Sequence, residues 1–213
     1  MITNFFKNVD KSLAYKLMLA HIVIIAISNF IVQYNIDIAG HPLSVAAFTF
    51  PLVVVLTDLT VRLIGKETGR MVIGLAFIPA IIISILIVYA SGTPFSLALR
   101  IGLGSGFAYF VSNLLDVYVF QYFREKFQSW YVAPTLSAVA STFIDSYVFF
   151  FVAFAGGADQ YMNEHWFEVA TNYSLTKAII SLLVILPVYG MILNYVQRNW
   201  VPAGRPQIKN VVK

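Results

Sequence analysis

Polar residues fall into short clusters along this chain, and long apolar stretches run between them. Six stretches reach the roughly 20 residues that a helix needs to cross hydrocarbon. They are about Lys16–Gln33, Ala46–Ile64, Met71–Ser91, Leu97–Tyr122, Val132–Ala155 and Ser174–Gln197. A barrel strand would alternate apolar and polar positions, whereas these runs are continuous. The pattern therefore predicts an all-α integral membrane fold of six spanning helices. Turn residues separate the runs at Gly40–Pro42, Gly65–Gly69, Ser91–Pro94 and Gly156–Gly157.

The flanks read differently. Phe5, Phe6, Val9 and Leu13 share one helical face, with Lys7 and Lys11 elsewhere. Residues 1–15 are thus expected to form an amphipathic segment on the inner membrane surface. Residues 16–197 form the six-span domain, and 198–213 a basic tail. The first span is too long for a cleavable signal and no small-residue cleavage pattern follows it. The stretch Gly156–Tyr173 reads as the longest loop, anchored at the interface by Trp166 and Phe167.

Composition narrows the class. Hydrophobic residues make up 59% of the 213 and charged residues only 11%, against about 25% charged in a soluble domain. Such a chain cannot cover a water-facing surface. The absence of cysteine excludes disulfides, thiolate metal sites and cysteine nucleophiles. Of fourteen basic residues, twelve lie in the N-terminal segment, the second-to-third and fourth-to-fifth connections and the tail; only Arg100 and Lys177 lie opposite. Both termini are then expected in the cytoplasm. The net charge of +4 is a topology signal and requires no nucleic-acid partner.

A faint echo links the halves: Ser28-Asn29 with Ser112-Asn113, Asp58 with Asp145, and Pro79 with Pro187. Three spans per half reverse direction, so a true 3+3 repeat would be inverted, as in many transporters; coincidence is the other reading.

Three aspartates interrupt the apolar runs: Asp58, Asp116 and Asp145. A charge at the bilayer centre costs about 2.5–3.5 kcal/mol on insertion scales, so such residues face protein or a wet cavity. Asp58 has Arg62 one turn on, and the two read as an ion pair that is either structural glue or part of a gate. Asp116 lies on the stripe Tyr109–Asn113–Asp116–Phe120. Asp145 has no basic neighbour in its own helix; Lys177 and Arg100 are the available counter-charges, and a ligand contact is the favoured role. Asn29, Gln33, Asn113 and Thr142 add neutral polar groups, each more often interhelical glue than a ligand contact. Together with Phe48, Phe50, Tyr109 and Tyr147 they fit a pocket for a flat polar heterocycle. Gly102, Gly104 and Gly106 predict close helix packing by the fourth span.

Enzyme chemistry finds little support. None of the aspartates has the Gly-x-Gly-Asp context of an intramembrane aspartyl protease. Ser105 has no histidine in a late span to serve as its base. Glu164, His165 and Glu168 make a weak metal signal, so no metal or other cofactor is expected. No phosphate-cradling loop occurs, so the chain has no ATP-binding element of its own.

The segments HIVIIAISNFIVQ, AFTFPLVVVLTDLTVRLIG, SNLLDVYVFQYFRE, APTLSAVASTFIDSYVFFFVAFA and EHWFEVATNYSLTKAIISLLVILPVYGMILN resemble the queuosine precursor transporter family across roughly His21 to Asn194. The resemblance implies a six-span bacterial inner-membrane importer of 7-cyano-7-deazaguanine, and of its 7-aminomethyl relative, for tRNA modification. It also implies a distant similarity to the substrate-binding subunits of energy-coupling-factor vitamin importers. On this reading Asp145 or Asp116 accepts from the guanine-like edge, Lys177 or an amide donates to its carbonyl, and Asn29, Gln33 and Asn113 contribute. Asp58 and Arg62 become a self-neutralising pair near an inner gate. A subunit that needs a separate energising partner, or a non-transporting membrane scaffold, are the alternatives. Small six-span bundles often pair, so a homodimer is the expected assembly.

Overall fold

The structure, a computed structural model, describes residues 11–32, 34–38 and 41–200. The expectations for residues 1–10 and 201–213, and for Gln33, lie outside the described residues. Six helical units long and apolar enough to cross a membrane are present among the described residues. They are α1 (Lys11–Ile31), α2 (Ala46–Leu63), α3 (Lys66–Ala90), α4 (Phe95–Lys126), α5 (Val132–Phe154) and a last unit in three parts. That unit is α6 (Gln160–Ile180), a π-helical turn (Ser181–Ile185) and α7 (Leu186–Trp200).

The bundle is apolar outside, and its interior mixes apolar side chains with polar ones. On α1, Leu19, Val23, Ile27 and Phe30 form an exposed stripe, as do Ile78, Ile82 and Leu86 on α3. Hydrocarbon solvates such faces, so their exposure carries no penalty. The opposite faces bury hydroxyls, amides and charges: His21, Ser28 and Asn29 on α1, and Thr57, Asp58 and Arg62 on α2. α4 is the axis. At 32 residues it is about 48 Å long, well beyond a hydrocarbon core of about 30 Å, and its last turn carries Arg124 and Lys126. It packs closely on α3 and α5. A Cβ at Gly102 would meet Ile85 of α3, including its backbone nitrogen at 2.8 Å, and one at Gly104 would sit 3.0 Å from the Phe149 carbonyl of α5. The glycines therefore bring three backbones together, as their spacing predicts.

Three features differ from the sequence expectation. A hairpin, β1 (Asn35–Ile38) with β2 (His41–Ser44), joins α1 to α2, with Ile36 paired to Leu43 and Ile38 to His41. Ser44 pins it, donating to the Val32 carbonyl (2.8 Å) and accepting from the Ala46 amide (3.2 Å). Gly156–Tyr173 is not a long loop. After the turn at Gly156, where φ is +67°, Asp159 caps α6 by accepting from the Met162 amide at 3.0 Å, and the chain is helical from Gln160. That segment carries Asn163, Glu164, His165 and Glu168, which masked a helix within an apparently polar stretch. Third, the two halves pack differently: α1 lies against α3, while α4 makes no comparable contact with α6. The residue echo between the halves has no counterpart in packing.

The π-helical turn has a local cause. Pro187 has no N–H to offer the carbonyl one turn earlier, and its ring crowds that carbonyl. The preceding residues widen to i+5 bonding instead. Pro51 does the same service in α2, withholding a donor from the Ala47 carbonyl.

Candidate binding cavity

A cavity of about 350 Å³ lies among α1, α2, α4, α5 and α6, at the lower end of the ~300–1,000 Å³ typical of small-molecule sites. Helical periodicity builds its walls. α4 contributes Ser105, Tyr109, Ser112 and Asn113, which recur at one face. α5 contributes Ser141, Thr142, Asp145 and Phe149; α1 adds Ile25 and Asn29; α6 adds Tyr173 and Lys177. Ser91 and Thr93, from the α3–α4 turn, line the end beside the hairpin.

Among the described residues, one ion pair faces this space. Lys177 donates from Nζ to Asp145 Oδ2 at 3.1 Å. The lysine side chain is 7% exposed and the aspartate 26%, so the carboxylate remains accessible from the cavity. Among the described residues its Oδ1 has only a long contact, 3.5 Å, from the Ser112 hydroxyl. Lys177 also lies 5.2 Å from the centre of the Tyr173 ring. Across the cavity, the Asn29 amide donates to the Ile25 carbonyl (3.0 Å) and to Ser84 (2.8 Å). Those bonds fix the side chain and leave its carbonyl oxygen as an acceptor. Asn113 is held twice, donating to the Tyr109 carbonyl (2.8 Å) and accepting from Thr57 (3.0 Å). Behind Tyr109, His21 meets the phenol oxygen at 2.9 Å. These bonds hold the buried polar side chains in fixed orientations.

The predicted site residues separate into two groups. Asn29, Asn113, Asp145 and Lys177 come together around the cavity. Asp116 does not line it. It is 0% exposed and faces Asp58, itself 2% exposed, with Ser137 beside both. The expected Asp58–Arg62 ion pair is not formed. Arg62 instead donates to the Trp130 carbonyl at 2.9 Å and lies between the rings of Phe120 (5.4 Å) and Tyr189 (5.6 Å). Trp130 in the α4–α5 connection offers the acceptor, and Phe120 of α4 and Tyr189 of α7 offer the aromatic faces, so the guanidinium stays near Asp58 without an ion-pair contact. Arg100 is also no counter-charge for Asp145. It donates to the Ala153 carbonyl at 2.9 Å and to the Ala155 carbonyl, capping the C-terminal end of α5.

A family model described as "Putative vitamin uptake transporter" matches residues 44–192. The "Queuosine precursor transporter" of Escherichia coli (strain K12) is 36% identical over 189 residues, covering 84% of this chain and 85% of that protein. The "Probable queuosine precursor transporter" of Haemophilus influenzae (strain ATCC 51907 / DSM 11121 / KW20 / Rd) is 36% identical over 202 residues, covering 84% and 86%. The chain belongs to the queuosine precursor transporter family. No solved structure matches it.

Within the stretch that matches the family model lie Asp58, Asn113, Asp116, Asp145 and Lys177, while Asn29 precedes it. As a member of a transporter family, the chain is a multi-pass membrane protein. Sequence reasoning passed over Phe149, Phe150 and Tyr173, which wall the cavity. Tyr173 was legible in principle, one turn before Lys177 on a helix, but the loop assignment concealed that spacing. Tyr147 was expected at the pocket and instead bonds Thr171 at 2.9 Å. Phe48 packs in the cluster around Ala47 and Ile180.

Proposed function

We propose that this protein carries 7-cyano-7-deazaguanine, and with it the 7-aminomethyl relative, across the bacterial inner membrane into the cytoplasm. The observation that carries the reading is the accessible Asp145 carboxylate, tethered to Lys177 and set among aromatic rings and two fixed amides. A deazaguanine presents a ring N–H beside an exocyclic amine, and one carboxylate accepts from both. Its neighbouring carbonyl takes a proton donor, a role assigned in this reading to Lys177 or the Asn113 amide. Phe149 and Tyr173 offer faces for the flat ring. The cationic aminomethyl group adds a reason for a cavity whose ionised wall includes an acid.

The same reading puts both termini, and the end bearing Lys66, Arg70, Arg124 and Lys126, in the cytoplasm. The cavity, lined by Ser91 and Thr93, then faces outward. Assembly as a homodimer belongs to the proposal and is read by mass measurement in detergent. The deciding experiment is uptake of labelled 7-cyano-7-deazaguanine by purified protein in liposomes. Accumulation is expected without any added protein, and excess unlabelled deazaguanine should compete where adenine does not. Binding without translocation would mark a subunit that requires an energising partner, and the absence of both would refute the reading.

A further inference from the structure

Between the cavity and the basic end of the bundle lies a second, smaller hollow of about 20 Å³, room for about one water molecule. Pro51, Val54 and Thr142 line both spaces. The hollow is also lined by Asp58, Ser181 and Tyr189. Ser181 and Tyr189 are 4% and 1% exposed, and their hydroxyl oxygens have no hydrogen-bond partner among the described residues. The same holds for Asp58 Oδ1 and for both oxygens of Asp116. Buried polar groups are almost always satisfied, so a cluster of orphans beside a water-sized hollow marks a place where a small polar species resides.

Charge identifies the species. Asp58 and Asp116 lie against each other in the bundle interior, and two facing carboxylates in a poor solvent cannot both stay ionised. With one proton between them the pair carries a single negative charge, which the nearby Arg62 balances. The remaining groups facing the pair from the neighbouring helices are Tyr189 on α7 and Ser137 and Ser141 on α5, while Arg124 on α4 faces Arg62 and Tyr189 rather than the pair. Loss of the proton leaves an uncompensated charge, and a second proton leaves Arg62 uncompensated. We propose that Asp58 and Asp116 are a proton-carrying pair that couples transport to a proton gradient. A proton reaches them from the cavity past Thr142 and leaves through the hydroxyls of Ser181 and Tyr189 toward the basic end. This inference rests on the proposed transport function, but its site is separate from the substrate cavity.

The test uses full-length protein and two readouts. In liposomes carrying an internal pH-sensitive dye, addition of 7-cyano-7-deazaguanine should acidify the lumen, and an inward proton gradient should speed uptake at least tenfold. Asp116→Asn should bind the substrate within threefold of the parent and lose both effects. Uptake that follows a sodium gradient and ignores pH would overturn the proposal, as would proton movement that survives in both Asp58→Asn and Asp116→Asn. The second readout needs no substrate. Infrared difference spectra on raising the pH should show loss of a buried protonated carboxyl, a signal absent from Asp58→Asn and from Asp116→Asn. If the parent shows no such signal, the pair holds no proton and the inference fails, whatever the protein transports. A protein that shows the signal but binds no deazaguanine would instead sink the substrate assignment alone.

Discussion

Asp145→Asn tests whether the cavity carboxylate recognises a ligand or only neutralises Lys177. At 3.1 Å the pair attracts with about 5 kcal/mol at an effective dielectric of 20, and about 1.3 kcal/mol in bulk water. Asp145 is 26% exposed to the cavity, so the lower part of that range applies, and the variant should lose roughly 1–3 kcal/mol of stability. Ligand binding should suffer separately. A carboxylate accepts from two N–H donors at once, while an asparagine keeps one acceptor and turns an N–H against the second donor. Hydrogen bonds to a charged group contribute about 1.5–3 kcal/mol each, against about 0.5–1.5 for neutral ones. One weakened bond and one lost bond sum to roughly 2–4 kcal/mol, or about 30-fold to nearly 1,000-fold in Kd. Titration calorimetry with 7-cyano-7-deazaguanine reads the affinity, and thermal unfolding in the same detergent reads the stability. The double variant Asp145→Asn/Lys177→Gln removes both charges, so no ion is orphaned. It should recover most of the stability and none of the affinity. Parental affinity in the double variant would show that the carboxylate serves only its lysine.

Other parts of the bundle give independent expectations. Gly102→Ala places a methyl 2.8 Å from the Ile85 backbone nitrogen and should cost about 1–3 kcal/mol by overpacking; Gly74→Ala, with nothing within 4 Å, should be neutral or stabilising, and thermal unfolding compares them. Arg100→Ala uncaps the Ala153 and Ala155 carbonyls and should lower stability by roughly 1–3 kcal/mol, while calorimetry shows unchanged affinity for the deazaguanine. Pro187→Ala restores a backbone donor and lets Ser181–Ile185 relax toward α-helix; liposome uptake should slow severalfold with Kd within threefold of the parent, and an unaltered rate would show that the π-helical turn is dispensable.

Much of the fold was legible because membrane solvent makes strict demands. A run of twenty apolar residues in lipid has one way to satisfy its backbone, so the six units and their separations follow from Gly65–Gly69, Ser91–Pro94 and similar breaks. The last unit was shortened because polarity was equated with loop: Asn163, Glu164, His165 and Glu168 sit on a helix that extends beyond the apolar core. Hairpin pairing escaped notice since Asn35–Ile38 and His41–Ser44 are only four residues each. At the cavity, the polar residues Asn29, Asn113, Asp145 and Lys177 stood out in the sequence by their rarity within apolar spans. Their partners did not, because sequence gives depth along a helix but not which neighbour faces it. Lys177 and Arg100 were equivalent candidates for Asp145 until packing gave one the carboxylate and the other the end of α5.

Asp116 shows most clearly how depth and facing combine. It follows Asn113 by three positions, so the two share a face of α4 with an axial separation of about 4.5 Å. That small step crosses a boundary. Asn113 accepts from Thr57 at 3.0 Å, tying α4 to α2, and Thr57 immediately precedes Asp58. Asn113 lines the cavity, while Asp116 lies outside it against Asp58. A ligand donor that takes the Asn113 carbonyl oxygen competes with Thr57 for it, whereas a ligand carbonyl takes an Asn113 N–H and leaves the Thr57 bond intact. Coupling between a substrate and a proton requires a shared element, because a ligand shifts an equilibrium only through contacts that differ between its two states. Thr57 bonds the cavity residue Asn113 while its sequence neighbour Asp58 lines the smaller hollow, so adjacent positions on α2 serve the two spaces through different contacts.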